Sequence, residues 1–271
     1  MSNRIDQTIA KLSKNKQKIL SPYLTAGDPN LELTVPLMHA LVEGGADILE
    51  LGIPFSDPMA EGPVIQHAME RALAQGVSVD DVFKQITAFR QKDNQTPIVI
   101  MGYLNPIEMY GYERFAKNAN KAGVDGTILV DMPPEEAGEI LPIWQQHKLH
   151  AILLCSPTTS DKRLNAIAEV ASGYLYYVSL KGVTGASTLS IDNVRDLYQR
   201  RKQQVSLPLL VGFGIKTPEI AAEIASFADG VIVGAALIET VYDTWQAGDD
   251  PCAAAKRLMA DMRHSMNAVE S

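Results

Sequence analysis

Asp47-Ile48-Leu49-Glu50-Leu51-Gly52-Ile53-Pro54-Phe55-Ser56-Asp57-Pro58 places one carboxylate inside an aliphatic string and then turns sharply on prolines. The apolar residues run nearly without interruption instead of alternating, which is the pattern of a strand buried on both faces, as in a parallel sheet covered by helices. An ionised, unpaired Glu at such a place costs on the order of several kcal/mol. Glu50 is therefore paired, neutral or functional.

Seven further runs of the same kind flank this one: Ile19 to Leu24, Pro97 to Tyr103, Asp125 to Val130, His150 to Cys155, Tyr174 to Ser179, Pro208 to Phe213 and Asp229 to Val233. Segments of helical periodicity separate them, such as Leu33, Leu37 and Leu41 before Gly44-Gly45, Val82, Ile86 and Phe89, and Ile220, Ile224 and Phe227. Eight strands with crossover helices predict a closed (β/α)8 barrel, and 271 residues without a Ser/Gly-rich linker predict one domain over 1–271. An open doubly wound sheet is the alternative, but its first turn would carry G-x-G-x-x-G, and Thr25-Ala26-Gly27-Asp28-Pro29 does not. Three additions to a minimal barrel are expected: an N-terminal helix with Ile5, Ile9 and Leu12 capping the barrel bottom, an extra helix at about Gly62 to Leu73 after the second strand, and a final helix from Cys252 to Met266.

Composition narrows the function. A net charge of -8, with 24 Lys+Arg scattered along the chain, disfavours nucleic acid as a partner. Two cysteines, Cys155 and Cys252, build no thiolate cluster or disulfide framework, and five histidines match no metal spacing, so no metal is expected. The lack of a signal-like or membrane-length apolar run leads us to expect a cytoplasmic protein with no membrane partner.

In such a barrel the chemistry sits on loops at the C-terminal ends of the strands. That places Glu50 and the turn holding Glu61 at the mouth. A carboxyl in an apolar mouth has its pKa raised by desolvation, as a general acid near neutral pH requires. The alternative is a structural Glu50 tied to a strand hydroxyl such as Tyr103 or Tyr176. Late in the chain, Gly182-Val183-Thr184-Gly185, Gly212-Phe213-Gly214-Ile215 and Gly234-Ala235-Ala236 follow the last three strands. Such turns let backbone N–H groups approach an anion, aided by a short helix expected from near Ala235, and barrels often bind phosphate there. They could also be no more than tight turns.

Glu50 to Pro58, then Ala60, Gly62-Pro63 and Ile65-Gln66, resemble the signature of the tryptophan synthase alpha subunit family. The resemblance continues through Pro22 to Pro29, Met101 to Pro106, Val130 to Pro133, Gly182 to Ala186 and Gly212 to Ile215, in order along the whole chain. It implies a (β/α)8 lyase that splits indole-3-glycerol phosphate into indole and glyceraldehyde 3-phosphate. It also implies a pyridoxal-phosphate-containing beta subunit as partner, in a complex of two alpha and two beta chains, and no cofactor in this chain. By the same match, Glu50 is the acid/base glutamate and Tyr176 the tyrosine beside it. Gly185, Gly214 and Gly234 are phosphate-loop glycines, and Tyr23 and Thr184 are further substrate contacts.

Two positions depart from the family pattern. Glu61 stands where the family ordinarily has aspartate against the indole ring, and Ala235 stands where a serine usually helps hold phosphate. Two readings compete with the lyase: a sugar-phosphate isomerase or cyclase of another barrel family, which would share the phosphate loops but which the second-strand motif opposes, and a subunit catalytically weakened by Glu61 and Ala235 that mainly binds or regulates a beta partner.

Overall fold

The computed structural model describes residues 3–178, 191–212 and 214–269. Eight parallel strands close in sequence order: β1 Ile19–Thr25, β2 Leu49–Gly52, β3 Ile98–Gly102, β4 Gly126–Leu129, β5 His150–Cys155, β6 Leu175–Val178, β7 Leu209–Gly212 and β8 Gly230–Val233. Closure is made by β8 against β1, with Ile19 opposite Gly230 and Pro22 opposite Val233. Every expected strand is present, several of them trimmed by a residue or two where the chain bends into a turn.

Twelve α-helices lie among the described residues. They are α1 Arg4–Lys14, α2 Thr34–Glu43, α3 Pro63–Ala74, α4 Val79–Phe89, α5 Leu104–Tyr110, α6 Tyr112–Ala122, α7 Ala137–Gln146, α8 Asp161–Val170, α9 Ile191–Lys202, α10 Pro218–Ala225, α11 Ala235–Gln246 and α12 Pro251–Ala268. The three additions expected from sequence are α1, α3 and α12. Helix α1 closes the bottom of the barrel: Ile5 and Leu12 are buried, and Nδ2 of its cap Asn3 donates to the carbonyls of Asp125 and Lys148, just ahead of β4 and β5. Helix α12 buries Ala255, Met259 and Met262 as expected, while Leu258 is only partly covered.

The barrel bottom is held by a device repeated at every second strand. Each even-numbered strand is entered through a residue whose side chain accepts the backbone N–H near the start of the preceding strand. Asp47 accepts from Leu20 at 2.9 Å, Asp125 from Ile98 at 2.9 Å, Ser172 from Ala151 at 3.0 Å and Asp229 from Leu209 at 2.8 Å. These N–H groups start the ladder and need an acceptor once buried. Cations from the outer helices compensate the three aspartates: Arg263 meets Asp47, Arg90 and Arg4 meet Asp125, and Lys202 meets Asp229. The bottom is thus tied together by hydrogen bonds and ion pairs, and the mouth is left to the loops.

One mouth segment after β3 is helical. Asn105-Pro106-Ile107 lies in the first turn of α5, and Ile107 is fully buried. Pro106 is the third residue of that helix, where its missing N–H leaves no intrahelical bond unmade.

Candidate active site

Strand β2 delivers Glu50 into the barrel, 1% exposed. Its Oε1 accepts from the Tyr174 hydroxyl at 2.7 Å and from Ser21 Oγ at 3.1 Å. Its Oε2 is buried without a hydrogen-bond partner among the described residues. Burial pushes the carboxyl up to about 7, against the two hydroxyl donors that favour its ionised form and with a smaller push from the Glu61 charge. The hydroxyl partner is therefore Tyr174, not Tyr103 or Tyr176. Residues 174 and 176 share one face of the chain entering β6, and only the deeper one reaches Glu50.

Glu61 sits in the turn between β2 and α3, partly buried, and desolvation lifts it to about 7 against hydrogen bonding from Tyr103. The turn is pinned on both sides. The Ala60 N–H donates to the Tyr103 hydroxyl at 3.1 Å, and Gln66 Nε2 donates to the Glu61 carbonyl at 2.9 Å. Tyr103 is itself buried beneath Phe55, ring centroids 5.2 Å apart, and burial together with the Glu61 charge raises its phenol to about 12.

Tyr23 and Tyr176 supply the aromatic wall. Each lies across a glycine on a neighbouring strand: a Cβ at Gly52 would overlap the Tyr23 ring and hydroxyl, and a Cβ at Gly212 would overlap those of Tyr176. Strand glycines here make room for inward phenols, a close-approach role. Burial first, and then the nearby carboxylates Glu50 and Glu61, hold the Tyr176 phenol neutral, well above its ordinary value.

Above these residues opens a cavity of about 270 Å³ lined by Tyr23, Glu61, Met101 and Tyr176 together with Gly214, Ile215, Lys216, Gly234 and Ala235. Gly214 has φ +80°, a left-handed conformation that glycine adopts without strain. Gly234 caps α11, whose first turn has no side-chain cap and no acidic residue. The helix beginning at Ala235 is the full 12-residue α11 and not the short one expected. Thr184 and Gly185 fall outside the described residues. Sequence reasoning missed Ser21 and Tyr174 as partners of Glu50, and Lys216 on the cavity wall. Period-two spacing from Tyr23 and Tyr176 points to the first two, and its place two residues after Gly214 points to the lysine.

Glu61, its carboxyl raised to about 7, lines one cavity with a glycine turn and an uncapped helix start, and Glu50, raised likewise, lies buried close to it. Such a mouth suits acid–base chemistry on a small anionic substrate. The tryptophan synthase alpha chain family model matches residues 9–269. A tryptophan synthase alpha chain of Legionella pneumophila (strain Corby) is 60% identical, with 99% of each chain covered, and one of Xylella fastidiosa (strain 9a5c) is 50% identical over 99% of this chain and 100% of that one. The crystal structure of tryptophan synthase subunit alpha from L. pneumophila str. Paris superposes with a TM-score of 0.95 at 57% identity, covering 99% of this chain and 100% of the other. The chain belongs to the tryptophan synthase alpha chain family and is a lyase of tryptophan biosynthesis. No helix among the described residues is long and apolar enough to cross a membrane, and none of them form a group of three or more His, Cys, Asp or Glu fit for a metal ion.

Proposed function

We propose that Glu50 and Glu61 divide the work of cleaving indole-3-glycerol phosphate into indole and glyceraldehyde 3-phosphate. Glu50, protonated, delivers its proton to ring carbon C3. Its carboxylate then takes the proton of the glycerol hydroxyl as the carbon–carbon bond breaks, and the bonding electrons return to the ring. Glu61, ionised, accepts the indole N–H and offsets the positive charge that protonation places on the ring, an interaction much stronger in a dry pocket than in water. Each ionised carboxylate favours protonation of the other, so one proton shared over two groups near 7 gives the required pair of states. The carrying observation is Glu50 itself, fully buried within β2 with Oε2 free of described partners.

Tyr23 and Tyr176 flank the ring. N–H groups around Gly214, Gly234 and Ala235 hold the phosphate, together with Gly185, and Thr184 contacts the substrate. Near-full-length identity of 50–60% favours this lyase over a weakened binding subunit. The chain acts as a single domain over 1–271, in the cytoplasm, without a cofactor of its own. Its partner is a pyridoxal-phosphate-containing beta subunit in a complex of two alpha and two beta chains. The supporting surface is apolar: Met59, in the turn after β2, is 79% exposed and Met109, in α5, is 81% exposed, both on segments that follow mouth ends of strands. Turnover of indole-3-glycerol phosphate by the purified chain, alone and with a beta subunit, tests the reading. Release of indole that the beta subunit accelerates is expected, and no release in either state would refute it.

A further inference from the structure

We propose that Lys216 is a substrate-binding residue that holds the phosphate of the substrate by charge. The proposal rests on the phosphate-end reading given above and adds a side chain to it. The cavity is electrically lopsided. Glu61, in the turn after β2, lines it with Glu50 buried nearby, and the ionised Glu61 disfavours a dianion. Three strands round the ring from β2, after β7, Lys216 is the one cation among the described lining residues, in company with Gly214, Ile215, Gly234 and Ala235.

Lys216 makes no ion pair or side-chain hydrogen bond among the described residues, unlike Arg71, Arg90, Lys202 and Arg263, which are all engaged. Its backbone is firmly placed. Ile215 before it is buried at 4% exposure, and Thr217 after it caps α10 by accepting the Ile220 N–H. Ala235 offers no hydroxyl at the start of α11, so the side chains at this end of the cavity supply an anion with one strong donor, the ammonium. A backbone cradle gives geometry but only partial charge, and a lysine adds a full charge as a point donor. The arrangement orients the substrate, with its anionic tail at Lys216 and its neutral ring at Glu61.

The test compares wild type with Lys216→Met and Lys216→Arg, using steady-state cleavage of indole-3-glycerol phosphate and calorimetric binding of glycerol 3-phosphate, inorganic phosphate and indole. Lys216→Met should raise KM and weaken both phosphate ligands roughly 3- to 30-fold, between an exposed and a desolvated charge-assisted contact. Its kcat and its affinity for indole should stay the same, and Lys216→Arg should retain most of the binding. If wild type binds glycerol 3-phosphate in competition with substrate and Lys216→Met binds it equally well, Lys216 has no such role and the phosphate site stands without it. Equal weakening of indole would also overturn the proposal, since that marks a general disturbance of the cavity. If glycerol 3-phosphate fails to compete in wild type, the phosphate-end reading itself falls, and the lysine's role with it.

Discussion

Tyr174 donates its hydroxyl to Glu50 Oε1 at 2.7 Å, across the barrel from β6 to β2, while Oε2 of the same carboxyl has no described partner. One oxygen is thereby fixed, and on the proposed mechanism the other is left to react. The donor stabilises the ionised form and so limits how far burial lifts the pKa. In Tyr174→Phe that brake is gone and Glu50 holds its proton to higher pH. The alkaline limb of kcat/KM, where Glu50 loses the proton it must deliver, should move up by as much as about one pH unit, since one hydrogen bond is worth about 1 kcal/mol. A pH–rate profile reads this directly, and a limb that stays put or moves down removes Tyr174 from the control of Glu50.

Glu50→Gln separates catalysis from stability. Cleavage should fall by at least about a hundredfold, as loss of general acid–base catalysis requires. A carboxyl raised to about 7 binds its proton more tightly folded than unfolded, so its contribution to stability is full below its unfolded value and is lost as pH rises through 7. Gln carries no such charge. At pH 8 the variant should unfold at the same or higher denaturant than wild type, by on the order of 1–3 kcal/mol. More than about a tenth of wild-type activity in the variant would exclude Glu50 from proton transfer.

The strands were legible because barrel strands buried on both faces leave unbroken apolar runs, and Glu50 stood out as the polar exception within one of them. Its partner was not legible, because Tyr174 and Tyr176 have the same side-chain direction and sequence does not say how deep Glu50 reaches. Helix α5 was hidden by Asn105-Pro106, which reads as a turn unless the helix is known to start two residues earlier. The acceptors Asp47, Asp125, Ser172 and Asp229 sit at equivalent places before even strands, but their common role depends on the register of neighbouring strands, which only closure of the barrel fixes.

Asp125 should be a stability residue with no part in the chemistry. It is 3% exposed and accepts from Arg90, Arg4 and the Ile98 N–H at the end of the barrel opposite the cavity. Asp125→Ala strands a buried guanidinium and a backbone donor, which should cost about 3 kcal/mol or more. Urea unfolding should show a lower midpoint, while KM of the folded fraction at 25 °C stays at the wild-type value. A KM change without a midpoint change would contradict this assignment.

Met59 and Met109 should meet the beta subunit. Their exposure of 79% and 81% places flexible apolar side chains at the mouth, where burial in a partner gains contact area. Met59→Asp combined with Met109→Asp should weaken complex formation at least tenfold by light scattering or calorimetry. The intrinsic cleavage rate of the isolated chain should not change. Unchanged assembly would move the partner face elsewhere.

Glu61→Asp gives opposite signs for the two readings of the residue that replaces the family's aspartate. The turn is held by the Ala60 N–H on Tyr103 and by Gln66 on the Glu61 carbonyl, so its backbone cannot easily follow a shorter side chain inward. The Tyr103 hydroxyl also lies near enough to the carboxyl to favour its ionised form. If the pocket is built around glutamate, Asp withdraws the carboxylate from the ring nitrogen by about one methylene. A displacement of ~1 Å at a reacting site costs up to about a hundredfold, so kcat/KM should fall by roughly ten- to a hundredfold. If glutamate is a defect, the same change restores the contact and kcat/KM rises. A structure with bound indolyl ligand adds a second check, because the fitted pocket requires a Glu61 oxygen within about 2.7–3.2 Å of the indole nitrogen. A rise in kcat/KM on Glu61→Asp, or a carboxylate turned away from the ring, would overturn the adapted reading and leave Glu50 to carry the cleavage without charge stabilisation at the indole nitrogen.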